Sequence, residues 1–113
     1  MYQYRATVTA IHDADTYTLD IDLGLEAWLH NQKLRLAHAN APELPTPAGK
    51  AALVWVQHLM PVGTAVVIDT IKAQGDKEKY GRWLAQVTLP DGTDLADTMI
   101  AVGQVVPYEG GPR

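Results

Sequence analysis

The segment from Arg35 to Glu43 contains three side chains that suit the handling of a phosphate group. Arg35 has a guanidinium that matches phosphate oxygens, Asn40 has an amide oxygen that suits a hard cation, and Glu43 has a carboxylate that suits a water molecule. Pro42 disfavours helical backbone at Ala41, so a strand that ends here can hold all three at one rim. By spacing alone, Arg35 and Glu43 could equally form a surface ion pair or be two unrelated solvated charges.

Two other segments have side chains of comparable interest. Residues 13–16 read DADT, which places two carboxyl groups in a short turn after an extended segment. Residues 76–82 read DKEKYGR, which mixes three cations with a tyrosine. Because two acidic residues lie among these cations, the second segment could also be an ordinary solvated loop.

The usual signatures of several enzyme classes are missing. The chain has no cysteine, which excludes disulfides and thiolate metal sites, and no serine, which excludes a serine nucleophile. No glycine-rich phosphate loop and no HExxH motif is present. We therefore interpret the four scattered histidines as surface residues or satisfied core residues, namely His12, His30, His38 and His58.

Composition predicts one small globular domain that spans residues 1–113. The apolar fraction is 47% and the charged fraction 19%, which are ordinary values for such a domain. The formal charge of −4 argues against a broad basic face but leaves room for a small cationic pocket. No membrane span or signal segment is apparent, so we expect a cytoplasmic protein without a membrane partner, with a monomer favoured. Residues 107–113 are rich in glycine and proline and are expected to be flexible.

The periodicity of apolar residues predicts strands over residues 4–12, 16–23, 33–38, 65–71 and 82–89. Residues 24–32, which contain Trp28, could be a long hairpin connection or a widened strand end. Thr46 is a helix N-cap with Pro47 in the first turn, and Pro61 ends the helix. A second, short helix is predicted over residues 95–102, followed by an extended piece over 104–106.

This order favours a mainly β fold with helices, of the α+β class. We expect a five-stranded Greek-key barrel of the OB type, with a helix between strands 3 and 4 and a short helix near the C-terminus.

Together, the three segments resemble the staphylococcal nuclease (thermonuclease-like) family. That family reads DGDT after the first strand, RL followed by PE after the third, and DKYGR before the fifth. The resemblance extends from Tyr4 to about Tyr108, with the motifs in the same order and at compatible spacing.

The resemblance implies a Ca²⁺-dependent endonuclease that hydrolyses phosphodiester bonds in DNA and RNA, preferably single-stranded, with little sequence specificity. In such an enzyme a glutamate activates the attacking water, and two arginines stabilise the charge that develops on the phosphate. The matching catalytic positions are Glu43, Arg35 and Arg82; the metal ligands are Asp15, Asn40 and the Ala41 carbonyl; the substrate-binding positions are Lys79, Tyr80 and Tyr108.

Several departures from the family pattern keep a second reading open. Asn40 replaces a carboxylate, so metal affinity should fall and another divalent ion could be preferred. Ala14 replaces a glycine, which is tolerable only if the backbone there is not left-handed. Glu78 is an extra residue within the third motif. The alternative is a catalytically weak or inactive module of the same fold that binds nucleic acid or protein.

Overall fold

The computed structural model describes residues 2–71 and 81–108, and this part of the chain is mainly β-structure with two helices. Lys79 and Tyr80 lie outside the described residues, as do residues 109–113 of the expected flexible tail. The described strands are β1 (Tyr2–Asp13), β2 (Thr16–Gly24), β3 (Ala27–Leu36), β4 (Ala39–Asn40), β5 (Ala65–Thr70), β6 (Trp83–Thr88) and β7 (Val106–Pro107), and the helices are α1 (Pro47–Leu59) and α2 (Leu95–Ala101).

Five of these strands close into a barrel in the order β1-β2-β3-β6-β5. Neighbouring strands are antiparallel except for β3 and β6, which run parallel. The two-residue strands β4 and β7 form a separate small ladder. A mainly β chain with two helices and a closed five-stranded barrel is compatible with an OB-like α+β fold. In chain order, α1 falls between the short β4 and β5.

The alternating pattern in β2 places three of its apolar side chains inside the barrel, as the sequence predicts, whereas Leu23 near the end of the strand is exposed. Tyr17, Leu19 and Ile21 are buried, whereas the residues between them are partly exposed. The Tyr17 hydroxyl donates a hydrogen bond to the Ala14 carbonyl, which satisfies its polar atom within the core.

The third predicted strand, over residues 33–38, differs from β3 at both ends, and of the two alternatives for residues 24–32 the structure has the widened strand end. β3 begins at Ala27, so residues 27–32 extend the strand, and the turn before it contains Leu25 and Glu26 with positive φ. At its other end β3 stops at Leu36, and His38 has a φ of 67°. The alternation of burial that identifies a strand is absent from residues 27–31, which are all exposed, so the sequence carries no periodic signal there.

Helix α1 begins where its capping residues predict. The Thr46 side chain accepts a hydrogen bond from the Gly49 amide, and Pro47 occupies the first turn. Its buried face includes Ala52 and Val56, which belong to the core. Neither of the helices in the described part of the chain is long and apolar enough to cross a membrane.

Candidate functional site

Asp15 and Arg35 form a buried ion pair at one end of the barrel. Their exposed fractions are 2% and 3%, and they are the charged side chains that are buried among residues 2–71 and 81–108. Arg35 Nη2 lies 3.5 Å from Asp15 Oδ2. Two charges lose their hydration when they are buried, so each is retained only because the other and its hydrogen-bond partners compensate it.

The turn between β1 and β2 holds the Asp15 carboxylate in place. The Asp15 amide donates to Asp13 Oδ1 at 3.1 Å, which forms a local Asx-type turn. Thr16 Oγ1 donates to Asp15 Oδ1 at 3.1 Å, and the Ala41 amide donates to Asp15 Oδ2 at 2.9 Å. These bonds bring the segment after β4 against the first turn of the barrel, although 26 positions separate Ala41 from Asp15 in the chain.

The pKa values of Asp13 and Asp15 are shifted in opposite directions. Burial raises the pKa of Asp13 to about 6, and the hydrogen bond and negative charge of Asp15 add to this effect. Burial also raises the pKa of Asp15, but the hydrogen bond from Asp13, the Ala41 amide and the Arg35 charge outweigh it, so that this pKa is lowered. Asp15 is therefore the carboxylate of the pair, and Asp13 is its proton donor in mildly acidic solution.

The guanidinium of Arg35 is held by the backbone that follows β3. Nη1 donates to the carbonyls of Leu36 and Ala39, the latter at 2.8 Å, and Nη2 donates to Asn40 Oδ1 at 3.3 Å. The Tyr108 ring covers the guanidinium, with its centroid 5.8 Å from the Arg35 Cζ atom. Arg35 is thus fixed by contacts from three directions, and its position depends on the turn after β3.

Strand β7 positions both Asn40 and Tyr108. Ala39 pairs with Pro107 and Asn40 pairs with Val106. The Tyr108 amide donates to the His38 carbonyl at 3.0 Å, which extends the same connection. Two residues predicted to bind metal and substrate therefore meet Arg35 through a small ladder outside the barrel.

Arg82 reaches the same end of the barrel from the segment before β6. Its Nη1 donates to Thr16 Oγ1 at 3.5 Å, and Thr16 in turn bonds Asp15. Thr16 is also the register partner of Arg35 across β2 and β3. Arg82 and Thr16 line a cavity of about 400 Å³ together with His12 and Lys33.

Glu43 follows Asn40 closely in the chain. Among the described residues, its carboxylate forms no hydrogen bond or ion pair with Asp15, Arg35, Asn40 or Arg82. The side chain is exposed. The Glu43 carbonyl accepts hydrogen bonds from the amide of Thr46, at 3.2 Å, and from its hydroxyl. At Gly49 an added Cβ would lie 2.3 Å from the Glu43 carbonyl oxygen, so the start of α1 packs directly on this backbone. The helix therefore fixes the Glu43 backbone and leaves the carboxylate in solvent.

The oxygen donors implied for a metal ion match a hard divalent cation in kind. Asp15 is ionised, Asn40 offers Oδ1, and the Ala41 backbone lies against the Asp15 carboxylate. The set is weak in charge, because Arg35 already neutralises Asp15 and donates to Asn40. Within residues 2–71 and 81–108, no group of three or more histidine or acidic side chains could hold a metal ion. The described side-chain oxygen donors of this set are thus the Asp15 carboxylate and Asn40 Oδ1, and Arg35 contacts both.

Three residues near this site carry no role in the sequence-based prediction. His12 and Lys33 line the cavity beside Arg82, and Asp13 has a raised pKa beside the Asp15 carboxylate. Lys33 could have been found, because it lies two positions before Arg35 and so faces the same side of β3. His12 could not, because a shift in strand register between Ile11 and Asp13 sets its direction.

Ala14, at the position of the family glycine, is not among the residues with positive φ, so its side chain is tolerated there.

The group formed by Asp15, Arg35, Arg82 and Asn40 combines two guanidiniums, one carboxylate and one amide oxygen at a single rim. The guanidiniums are of the kind that pairs with phosphate oxygens, and the carboxylate and amide oxygens are of the kind that hard cations prefer. The chain matches no family model, and no curated protein matches its sequence.

Proposed function

We propose that this protein is a metal-dependent phosphodiesterase of OB-like fold that hydrolyses DNA and RNA with little sequence specificity. One observation carries the proposal: Thr16 connects the Asp15 carboxylate to Arg82, and Asp15 pairs with Arg35. A barrel core needs none of these polar side chains, and burying two charges is costly, so a role in binding a charged ligand accounts for them best.

In this proposal the chain's own residues hold the phosphate and the water. Arg82 lines an open cavity and binds a non-bridging phosphate oxygen there. Arg35, fixed by the Leu36 and Ala39 carbonyls, orients the same phosphate with little loss of side-chain entropy. The exposed Glu43 carboxylate holds and deprotonates the attacking water.

The cation is expected at Asp15, Asn40 and the Ala41 carbonyl. A bound divalent ion, Ca²⁺ or another, supplies neutralisation of the phosphate charge. Asp15 remains ionised for this purpose because its pKa is lowered. Because Asn40 is neutral, we expect weak binding and a broad tolerance among divalent ions.

Single-stranded substrates are expected to be preferred. Arg82, Thr16, His12 and Lys33 line a cavity of about 400 Å³, which admits one splayed phosphate and its sugar more readily than a duplex. The formal charge of −4 gives no broad basic face for a duplex. By its resemblance to the thermonuclease-like family, the 5′ oxygen is expected to leave and 3′-phosphate ends to form.

The second candidate function is a non-catalytic module that binds nucleic acid or protein. It is favoured by the saturation of Arg35, which already contacts Asp15, Asn40, two carbonyls and the Tyr108 ring. The non-catalytic function is also favoured because, among the described residues, the Glu43 carboxylate forms no hydrogen bond to Asp15, Arg35, Asn40 or Arg82. In that case Arg82 would bind phosphate and no cleavage would follow.

Digestion of denatured DNA with added Ca²⁺, Mg²⁺ or Mn²⁺ separates the two functions. We expect cleavage that a chelator abolishes, and that falls by about 10²–10³-fold in Arg82→Gln, which corresponds to about 3–4 kcal/mol of barrier. Glu43→Gln should be similarly impaired, whereas the matched control Glu26→Gln, exposed in the turn before β3, should be fully active.

Activity that resists the chelator, or equal activity in Glu43→Gln and Glu26→Gln, would remove the proposed mechanism. Binding of oligonucleotides without cleavage under any of the three ions would establish the non-catalytic module instead.

A further inference from the structure

The cavity beside Arg82 is lined by two side chains, His12 and Lys33, that the proposed phosphodiesterase mechanism does not use. Its described lining is His12, Thr16, Lys33 and Arg82. His12 and Lys33 are both exposed, whereas Asp15 and Arg35 are buried. Lys33 and Arg82 line this cavity together in a chain of formal charge −4, and such a local concentration of positive charge favours a ligand of negative charge.

The direction of His12 comes from an irregularity in β1. Ile11 pairs with Tyr17 and Asp13 pairs with Thr16, so His12 is an extra residue without a partner in the ladder. Such bulges re-aim a side chain and are frequent beside active sites. His12 Nε2 lies 2.7 Å from Thr18 Oγ1, which fixes the ring on the outer face of β2.

Strands β2 and β3 repeat the same pair of residue types at this face. Thr16 is opposite Arg35, and two positions further Thr18 is opposite Lys33. Two positions along a strand cover about 6.8 Å. Each pair joins a threonine to a basic residue, and a second side chain contacts the threonine of each pair: Arg82 bonds Thr16, and His12 contacts Thr18.

The repeat ends after two pairs. Asp20 follows Thr18 on the same face of β2, and its carboxylate lies 3.2 Å from His30 Nδ1. The hydrogen bond from the Asn31 amide, together with that of His30, lowers the pKa of Asp20. A negative charge at this position repels an anion, so the cationic face covers two phosphate positions and no third in that direction.

We propose that His12 and Lys33, with Thr18, form a second phosphate-binding subsite, which holds the phosphate next to the one bound at Arg35 and Arg82 on a single strand of nucleic acid. The inference rests on the proposed function, because it assigns the neighbouring phosphate of the same substrate. The spacing of the two pairs suits one nucleotide step of an extended strand, and the exposed Lys33 ammonium acts as a point charge toward its phosphate.

The subsite predicts a specific change in salt dependence. For single-stranded nucleic acid, the slope of log K against log salt concentration changes by about 0.7 for each phosphate that the protein neutralises. Binding of a short fluorescent oligothymidylate in chelator, measured by anisotropy across salt concentrations, should therefore show a slope shallower by about 0.7 in Lys33→Gln than in the unmodified protein.

Matched variants distinguish this charge from others. Lys33→Arg keeps the positive charge and should retain the slope, and Lys50→Gln, an exposed lysine of α1 outside the cavity, should leave it unchanged. His12→Gln should lower the affinity for the same probe without altering the thermal unfolding midpoint. These results together would support the second subsite.

Two different results would overturn it. If Arg82→Gln weakens binding of the probe while Lys33→Gln has the same salt slope as Lys50→Gln, the proposed function stands and the second subsite is wrong. If the unmodified protein and Arg82→Gln bind the probe equally poorly, the proposed function itself fails, and the subsite fails with it.

Discussion

At the residue scale, the pair of Asp15 and Arg35 contributes more to the definition of the site than to stability. Replacement of a buried ion pair by apolar residues is often neutral or stabilising, whereas removal of one partner leaves an uncompensated charge. Arg35 retains its position because carbonyls of the following turn also accept its hydrogen bonds. The pair is therefore costly to break from either side.

We predict that Asp15→Asn lowers the free energy of unfolding by about 3 kcal/mol, because the Arg35 charge stays buried without its counter-charge. Urea denaturation at neutral pH measures the change. The matched control is Asp22→Asn on β2, where the side chain caps the Gly24 amide and the amide group can replace it. The control should stay within about 0.5 kcal/mol of the unmodified protein; an equal loss in both variants would contradict a buried pair.

The raised pKa of Asp13 makes the free energy of unfolding depend on pH in a defined direction. The pKa of Asp13 is raised from 3.8 to about 6 in the folded state, so the folded protein binds more protons than the unfolded chain in this interval. Stability from Asp13 is therefore fully present below about pH 4 and is lost as pH rises through about 6. The lowered pKa of Asp15 acts in the opposite sense, below the same interval.

Asp13→Asn should remove this dependence, because the amide mimics the protonated acid toward Asp15 and still accepts from the Asp15 amide. We expect Asp13→Asn to gain about 1–2 kcal/mol over the unmodified protein between about pH 4 and pH 7, allowing for the part exposure of Asp13. Urea denaturation of both proteins across that range measures the difference. If the difference in free energy of unfolding between the two proteins stayed constant with pH, the raised pKa of Asp13 would be contradicted.

At the element scale, the start of helix α1 determines where the Glu43 backbone lies. Gly49 is buried in the first turn, and its missing Cβ allows the helix to approach the Pro42 and Glu43 carbonyls. Thr46 caps the helix and bonds the Glu43 carbonyl through both its amide and its hydroxyl. The backbone that carries the proposed catalytic carboxylate is therefore positioned by a helix that packs on the barrel core.

Gly49→Ala tests this arrangement. The added methyl group would lie 2.3 Å from the Glu43 carbonyl oxygen, so the helix or the segment before it must shift. We expect a loss of about 1–3 kcal/mol in the free energy of unfolding and a fall in any phosphodiesterase activity. Lys50→Ala, at the exposed next position of the same helix, should be neutral or slightly stabilising. Equal stability of Gly49→Ala would show that the close approach is absent.

At the scale of the whole molecule, the barrel brings distant segments to one rim. The first turn supplies Asp15, the end of β3 supplies Arg35, and the segment before β6 supplies Arg82. The β4–β7 ladder then adds Asn40 from β4, and it places Tyr108, which follows β7, beside Arg35. Any change that opens the barrel should therefore disrupt binding and folding together.

The extent to which this arrangement follows from sequence differs between its parts. The alternation in β2 and the cap at Thr46 are local signals, and the structure has both where they were predicted. The outer half of β3 shows no alternation because it is exposed on both faces. Strands β4 and β7, two residues each, have no periodicity at all and exist only through their pairing with each other.

The candidate site follows the same division. Asp15, Arg35 and Arg82 belong to short motifs that can be read locally, and they lie at one end of the barrel. His12 owes its direction to the register of two strands, and the raised pKa of Asp13 depends on burial by other segments. Neither property is encoded in neighbouring residues, so neither could be predicted from sequence alone.

The central claim is that one rim of this barrel binds a nucleic-acid phosphate, and amide chemical-shift mapping with a thymidine dinucleotide in chelator tests it most directly. We predict that the largest shifts occur at Thr16, Lys33, Arg35 and Arg82, and that Arg82→Gln abolishes them. The structure also has a cavity of about 530 Å³ that His38 and Asp97 line. Shifts confined to that cavity, or no shifts at any dinucleotide concentration, would contradict the account.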